Sequence, residues 1–159
     1  MIFVTLGSQK FQFNRLLIEI DRLVEEGKIT EEVFAQIGCS DYKPKNYKYK
    51  EFLDRDEFAN IMGKCDKVIT HGGTGAIIGA VKREKKVIAI PRLERYAEHV
   101  DNHQIQIIEE FAKQKLIVPG INVNSLRDAL SKIEECKLNK YISNTKKIIN
   151  NIDDFIVNL

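Results

Sequence analysis

The residues whose types and spacing suit chemistry fall into a few short stretches. His71-Gly72-Gly73-Thr74-Gly75 stands between the apolar run Lys67–Thr70 and a helix-forming stretch, Ala76–Lys85. Glycines allow an anion to come close to the backbone. The free N–H groups of a first helical turn, with the positive end of the helix dipole, then bind it. Thr74 adds a hydroxyl donor and His71 a ring N–H. A ligand-free strand-to-helix turn is the plain alternative, but three glycines in four positions exceed what a turn requires. Thr5-Leu6-Gly7-Ser8-Gln9 follows another apolar run, and Gly7, Ser8 and Gln9 form a second candidate anion-facing turn. Taken alone, that loop reads equally well as a plain strand-to-helix turn.

The segment Glu98-His99-Val100-Asp101-Asn102-His103-Gln104 packs six polar or titratable side chains into seven positions. A sugar hydroxyl is donor and acceptor at once, and Asp, Asn and Gln match both. The same residues also suit a solvated helix N-terminus, where Asp and Asn are favoured caps. His99 and His103, four residues apart, admit a metal reading, but the glutamate of an HExxH pattern is missing and no metal is expected. The spacing Gly73-x-Gly75-xxx-Gly79 matches a relaxed dinucleotide fingerprint, yet it follows the fourth strand and not the first. No Walker A pattern is present.

These stretches must be positioned by a regular scaffold, and the periodicity supplies one. Ile2–Gly7, Val33–Gly38, Tyr47–Leu53, Lys67–Thr70, Lys86–Ile90 and Leu116–Val118 read as six strands. Phe13, Leu16, Leu17, Ile20, Leu23 and Val24 form one face of a helix that Gly27 stops. Asp54 and Glu57 have capping-box spacing, ahead of the stripe Phe58, Ile61, Met62 and Cys65. A helix over Asn102–Lys115 turns Ile105, Ile108, Phe111 and Ala112 inward, and Leu126, Ala129, Leu130 and Ile133 mark the next. A last helix over about Asn144–Val157 carries Ile148, Ile149, Ile152, Phe155 and Ile156, a broad apolar face that packs on its own domain or docks a partner. Strands separated by helices require crossover connections, hence a parallel sheet of the doubly wound α/β class. In such sheets ligands bind outside the carboxyl ends of the strands.

Length and composition agree. The chain has 159 residues, 43% hydrophobic and 30% charged, with a net charge of +2. That describes a globular chain, excludes disorder as the main state and argues against a dedicated nucleic-acid binder. The basic–aromatic stretch of Lys43, Lys45, Lys48 and Lys50 among Tyr42, Tyr47 and Tyr49 reads as a solvated strand face or an RNA, lipid or partner contact. Cys39, Cys65 and Cys136 have no ligand spacing and read as reduced core thiols of a cytosolic protein. The start MIFVTLG has no basic n-region, and no apolar run reaches a membrane span.

Taken together, FVTLGSQ, THGGTG and PRLERYAEHVDNHQ resemble the C-terminal, nucleotide-sugar-binding half of a GT-B glycosyltransferase across essentially the whole chain. The free-standing versions of that half are similar: small subunits of bacterial exopolysaccharide or capsule galactosyltransferases and of the dolichol-pathway N-acetylglucosaminyltransferase. The resemblance implies one Rossmann-like, three-layer domain over residues 1–159 with a mostly parallel six-stranded sheet. It implies that His71, Gly72, Gly73, Thr74 and Gly75 hold the donor pyrophosphate, with Gly7, Ser8 and Gln9 opposite. Phe52 and Leu53 would seat uracil, and Asp101, Asn102 and Gln104 would read the donor sugar. The family's ribose-gripping glutamate, eight residues after the motif histidine, is Gly79 here, so Glu98 is the substitute candidate.

The resemblance further implies an inverting hexosyltransferase, most readily of galactose, that uses a UDP-sugar and no cofactor. The leaving phosphate would be stabilised by helix-terminal N–H groups and His71. The general base would be His99, Asp101 or, by preference, a group on a partner. That partner is a membrane-associated, acceptor-binding glycosyltransferase subunit presenting a lipid-linked saccharide at the cytoplasmic membrane face. Two alternatives stand beside this reading: a stand-alone nucleotide- or dinucleotide-binding regulatory module without transferase activity, and a structural subunit that activates a catalytic partner.

Overall fold

The computed structural model describes residues 1–146, 148–150 and 156. The chain runs β1 (Ile2–Thr5), α1 (Asn14–Glu25), β2 (Val33–Gln36), β3 (Lys48–Lys50), α2 (Arg55–Lys64), β4 (Lys67–His71), α3 (Thr74–Val81), β5 (Lys86–Ile90), α4 (His103–Lys113), β6 (Val118–Pro119) and α5 (Leu126–Glu135). Single 3-10 turns at Glu94–Tyr96 and Val123–Ser125 precede α4 and α5.

The strands form one sheet in the order β3-β2-β1-β4-β5-β6, and all five pairings are parallel. Parallel strands need crossovers, which place helices on both faces and bury the central strands completely. Every residue of β1 and β4 is accordingly buried. Ile2, Val4, Leu6 and Ile69 pack with Leu16, Ile20, Ala129 and Ile133 on the face covered by α1 and α5. Phe3, Val68, Val87 and Ala89 pack with Met62, Ile77, Ala80 and Ile108 on the face covered by α2, α3 and α4.

Local chemistry sets the helix ends. Lys28 N–H donates to Leu23 O and Gly27 N–H to Val24 O, with Gly27 at φ 67°. This double bond pattern terminates α1 and needs a left-handed residue, which glycine supplies without steric cost. Asp54 caps α2 through the N–H groups of Asp56 and Glu57, and the Glu57 carboxylate accepts from Asp54 N–H. Asp54→Ala is expected to destabilise the protein by about 1 kcal/mol, read as a lower urea midpoint at unchanged slope.

Several expectations change. β3 is only Lys48–Lys50; the four lysines of the stretch are exposed, and two of them are paired, Lys43 with Glu51 and Lys50 with Glu57. Tyr42 and Tyr47 turn inward, donating to Asp21 and to Leu17 O. The stretch is therefore largely an internally satisfied face. Cys65 is buried, Cys136 half-buried and Cys39 exposed, so Cys39 is not a core thiol. Ile105 is 38% exposed, because α4 rests on the sheet through Gln104 and Ile108. In the last stretch, residues 145, 146, 148–150 and 156 are helical, and Ile148, Ile149 and Ile156 are exposed. Ile152 and Phe155 lie outside the described residues. No helix of the described residues is long and apolar enough to cross a membrane.

Candidate functional site

The strand order reverses direction between β1 and β4, and the loops after these two strands part there. A cleft of about 850 Å3 opens at that point, lined by Gly7, Ser8 and Gln9 from the first loop and by His71, Gly73, Thr74 and Gly75 from the second. Leu53, Arg55 and Phe58 close one side, and His99, His103 and Gln104 the other.

The two loops touch at one point. Gly7 sits at φ 73°, and a Cβ added there would lie 3.0 Å from His71 Nε2. Gly7 is thus required both by its backbone angle and by the imidazole beside it. The loop is held from behind: Gln36 Nε2 donates to Gly7 O, and the buried Arg92 Nη2 donates to Leu6 O and Phe11 O.

His71 ends β4 and is buried. Gly73 N–H donates to its Nδ1 at 3.0 Å. An Nδ1 that accepts puts the proton of the neutral ring on Nε2, the atom facing Gly7 and the cleft. Burial, reinforced by the nearby Arg92 and His99, pushes the His71 pKa down to about 3. His71 therefore presents a neutral N–H donor at physiological pH. An unfolded His71 takes up a proton below its ordinary value of 6.5, whereas the folded ring stays neutral until about 3. The unfolded state then binds more protons, so stability is fully present above pH 6.5. It is lost on acidification at up to about 1.4 kcal/mol per pH unit. Urea unfolding at pH 7 and pH 5 is expected to show a shallower pH dependence in His71→Gln than in the parent chain.

Gln104, the second residue of α4, fixes the other side. Its Oε1 accepts from Gly72 N–H at 2.9 Å and from Arg92 N–H at 3.1 Å, while its Nε2 faces His71 Nδ1. One carboxamide thereby joins the loops after β4 and β5 to α4. Gly72 packs against Gln104 so closely that a Cβ would lie 2.6 Å from Gln104 Cβ. Gly72 is consequently buried and does not line the cleft. The N–H groups of Gly72 and Gly73 are both used internally. The open donors of this rim are His71 Nε2, the Thr74 hydroxyl and the N–H groups of Thr74, Gly75 and Ala76, which have no intrahelical acceptor.

Other expected site residues fall elsewhere. Glu98 is 1% exposed and is consumed by structure: its carboxylate takes Arg15 Nε and Nη2, and Leu93 N–H. A carboxylate committed to a buried ion pair has no face left for a ribose. Phe52 is exposed and not part of the cleft wall, whereas Leu53 is. Asn102 Oδ1 accepts from Glu94 N–H, and its side chain lies outside the cleft. Asp101 also lies outside it, bonded to the rings of His99 and His103. Of the acidic and amide residues expected to read the donor, Gln104 alone lines the cleft.

Arg92 is the residue whose role sequence reasoning missed. It is fully buried, burial pushes its pKa down to about 10 against the pull of Glu98, and it pins the first loop. Its signal is a cation placed directly after the buried strand and Pro91. Arg55 and Arg83, which line the cleft, had none.

An all-parallel, doubly wound sheet with a donor-rich cleft at the reversal point defines a Rossmann-like ligand-binding domain. The chain belongs to the family described as the glycosyltransferase family 28 C-terminal domain, whose model matches residues 1–159. It is 36% identical over 66 residues to a protein of Yarrowia lipolytica named UDP-N-acetylglucosamine transferase subunit ALG13, covering 41% of this chain and 32% of that one. It is 32% identical over 97 residues to the protein of the same name from Kluyveromyces lactis, covering 58% and 47%. The chain thus spans between a third and a half of the length of these curated relatives. Two solved structures share the fold. One is the glycotransferase of kitacinnamycin (TM-score 0.62, 16% identity, 85% of this chain and 35% of that one). The other is the glycosyltransferase SnogD from Streptomyces nogalater (TM-score 0.58, 18% identity, 83% and 34%).

Proposed function

We propose that this domain is the donor-binding subunit of a UDP-sugar-dependent hexosyltransferase that works with a membrane-associated partner carrying the acceptor site. The single observation that carries the reading is the convergence of Gly7 and His71 Nε2 at the head of a cleft walled by the open start of α3. A diphosphate seated there meets the ring N–H, the Thr74 hydroxyl and the first-turn N–H groups together. Family membership and the names of the two fungal relatives supply the nucleotide sugar.

The chemistry is an inverting displacement at the anomeric carbon. The acceptor hydroxyl attacks, the bond to the donor phosphate breaks, and negative charge accumulates on the departing UDP. His71 Nε2–H and the first-turn N–H groups of α3 are fixed in place before the reaction, so they stabilise that charge without reorganising. The neutral state of His71 makes it a hydrogen-bond donor to the leaving group and not a proton source. The base that receives the acceptor's proton belongs on the partner. Leu53 and Phe58 give the uracil an apolar wall, and Gln104 remains to hold a sugar or phosphate oxygen.

Galactosyl transfer to a lipid-linked saccharide of exopolysaccharide or capsule synthesis is the finer reading. The relatives' names favour N-acetylglucosamine instead. Copurification of the chain with its partner, followed by a panel of UDP-sugars, separates the two. Turnover with one UDP-hexose supports the proposal and names the sugar. Absence of transfer in a complex that binds lipid-linked acceptor, with no UDP binding by the chain, contradicts it.

A further inference from the structure

Three donor atoms not used by the reading above stand together at the rim of the cleft. His99 lies in the loop between β5 and α4, His103 is the first residue of α4, and Asp101 lies between them. Asp101 Oδ1 is 3.2 Å from His99 Nδ1 and also pairs with His103 Nδ1. The two imidazole centroids are 4.8 Å apart, and one ligand atom from each of the three residues lies within 4.8 Å of the others. The ring of Phe11 packs 4.8 Å from that of His99 and holds it against the cleft wall. Both histidines line the cleft, while Asp101 approaches them from its outer side.

The i, i+4 spacing argued for two ligands on one helix and stalled on a missing glutamate. The structure brings the rings together by another route. His99 precedes the helix, a turn folds it back over His103, and the third donor is Asp101. Two imidazoles and one carboxylate form a donor set suited to borderline first-row dications, and three protein ligands leave a coordination position free. Hard ions such as Mg2+ prefer oxygen-rich sites, so the two nitrogen donors select against them.

We propose that His99, Asp101 and His103 form a binding site for a divalent transition-metal ion of the Zn2+ or Co2+ type, with its free coordination position open to the cleft. The ion takes the place of the contacts that Asp101 Oδ1 makes with the two rings, and a neutral imidazole that coordinates through one nitrogen carries its proton on the other. A bound dication beside the loop of Ser8 and Gln9 adds positive charge where an anion enters.

The test is a Co2+ titration of the full chain, without an affinity tag and without nucleotide, followed by visible absorption. The expected result is a ligand-field spectrum saturating near one equivalent and abolished by Zn2+. Asp101→Asn and His103→Ala are each expected to weaken binding by about 100-fold or more, since even losses outside the ligand shell cost about 10- to 100-fold. Cys39→Ser, which removes the exposed thiol, is expected to leave the titration unchanged. Asp101 and His103 are both about half exposed, so these variants retain the fold, and unchanged far-UV circular dichroism verifies it. Inorganic pyrophosphate added to the Co2+ form is expected to alter the spectrum. No spectrum at micromolar Co2+, or parental binding in Asp101→Asn and His103→Ala, overturns the site. A spectrum indifferent to pyrophosphate overturns its open position. The titration uses no nucleotide, so its outcome is independent of the donor reading. Retained Co2+ binding with no UDP binding would count against that reading alone.

Discussion

Gly73→Ala is expected to lose roughly 10- to 150-fold in UDP affinity, the equivalent of one hydrogen bond to a charged group at about 1.5–3 kcal/mol. A Cβ at position 73 would overlap the His71 ring, reaching its Cε1 and lying 2.8 Å from its Nδ1. The ring must swing away, and two things go with it. Nδ1 loses the N–H of Gly73, which sets the tautomer. Nε2 leaves its place beside Gly7 at the head of the cleft. Gly63→Ala in α2 is the control, because a Cβ there also meets nothing within 4 Å and the residue lies outside the cleft, and it is expected to bind UDP like the parent chain. Calorimetric titration of both variants checks the pair. Equal affinities would mean that the imidazole does not touch the diphosphate.

Gln104→Leu is expected to have the largest effect on stability. Its Oε1 is the acceptor for two N–H groups, Gly72 and Arg92, in a buried setting that admits no replacement from solvent. Orphaning a buried donor costs about 1–3 kcal/mol, so the pair costs about 2–6 kcal/mol. That is a large share of the roughly 5–15 kcal/mol by which a domain is stable. Urea unfolding would show a much lower midpoint with little change in slope. The loss extends beyond stability, since Gly72 sets where His71 and the start of α3 sit. UDP affinity is expected to fall even in conditions where the variant is fully folded. A near-parental midpoint would show that Gln104 is a passive member of the wall.

How much of this was legible in the residues depends on the range of the interaction concerned. β1, β4 and β5 were readable because strands buried on both faces are continuous apolar runs, as in IFVT and KVIAI. The Asp54–Glu57 cap and the Gly27 stop were readable because each is completed within one helical turn. The loop motifs were placed correctly at one rim because the carboxyl ends of parallel strands share an edge. Glu98 was misread because its fate is set by Arg15, 83 positions away. Its polarity is identical whether it faces a ribose or a guanidinium. Gln104 was noticed for a different reason from the one the structure shows. It stood out as a polar residue among polar residues, whereas its use as an acceptor depends on Gly72 across 32 positions. The glycines carried a similar ambiguity. Composition could not separate Gly73, which makes room for an imidazole, from Gly75, where an added Cβ would meet nothing within 4 Å. Ile105 was assigned inward by period alone, but α4 docks on the sheet through Gln104 and Ile108, and the rotation this requires turns Ile105 outward.

The central claim is that a diphosphate sits between the loops after β1 and β4. A backbone-amide NMR titration of the isotopically labelled chain with UDP tests it most directly. The expected result is saturable shifts at Ser8, Gln9, Thr74, Gly75 and Ala76, together with a shifted but still neutral His71 ring carrying its proton on Nε2. Shifts confined to residues away from both loops, or a spectrum unchanged at millimolar UDP, would contradict it.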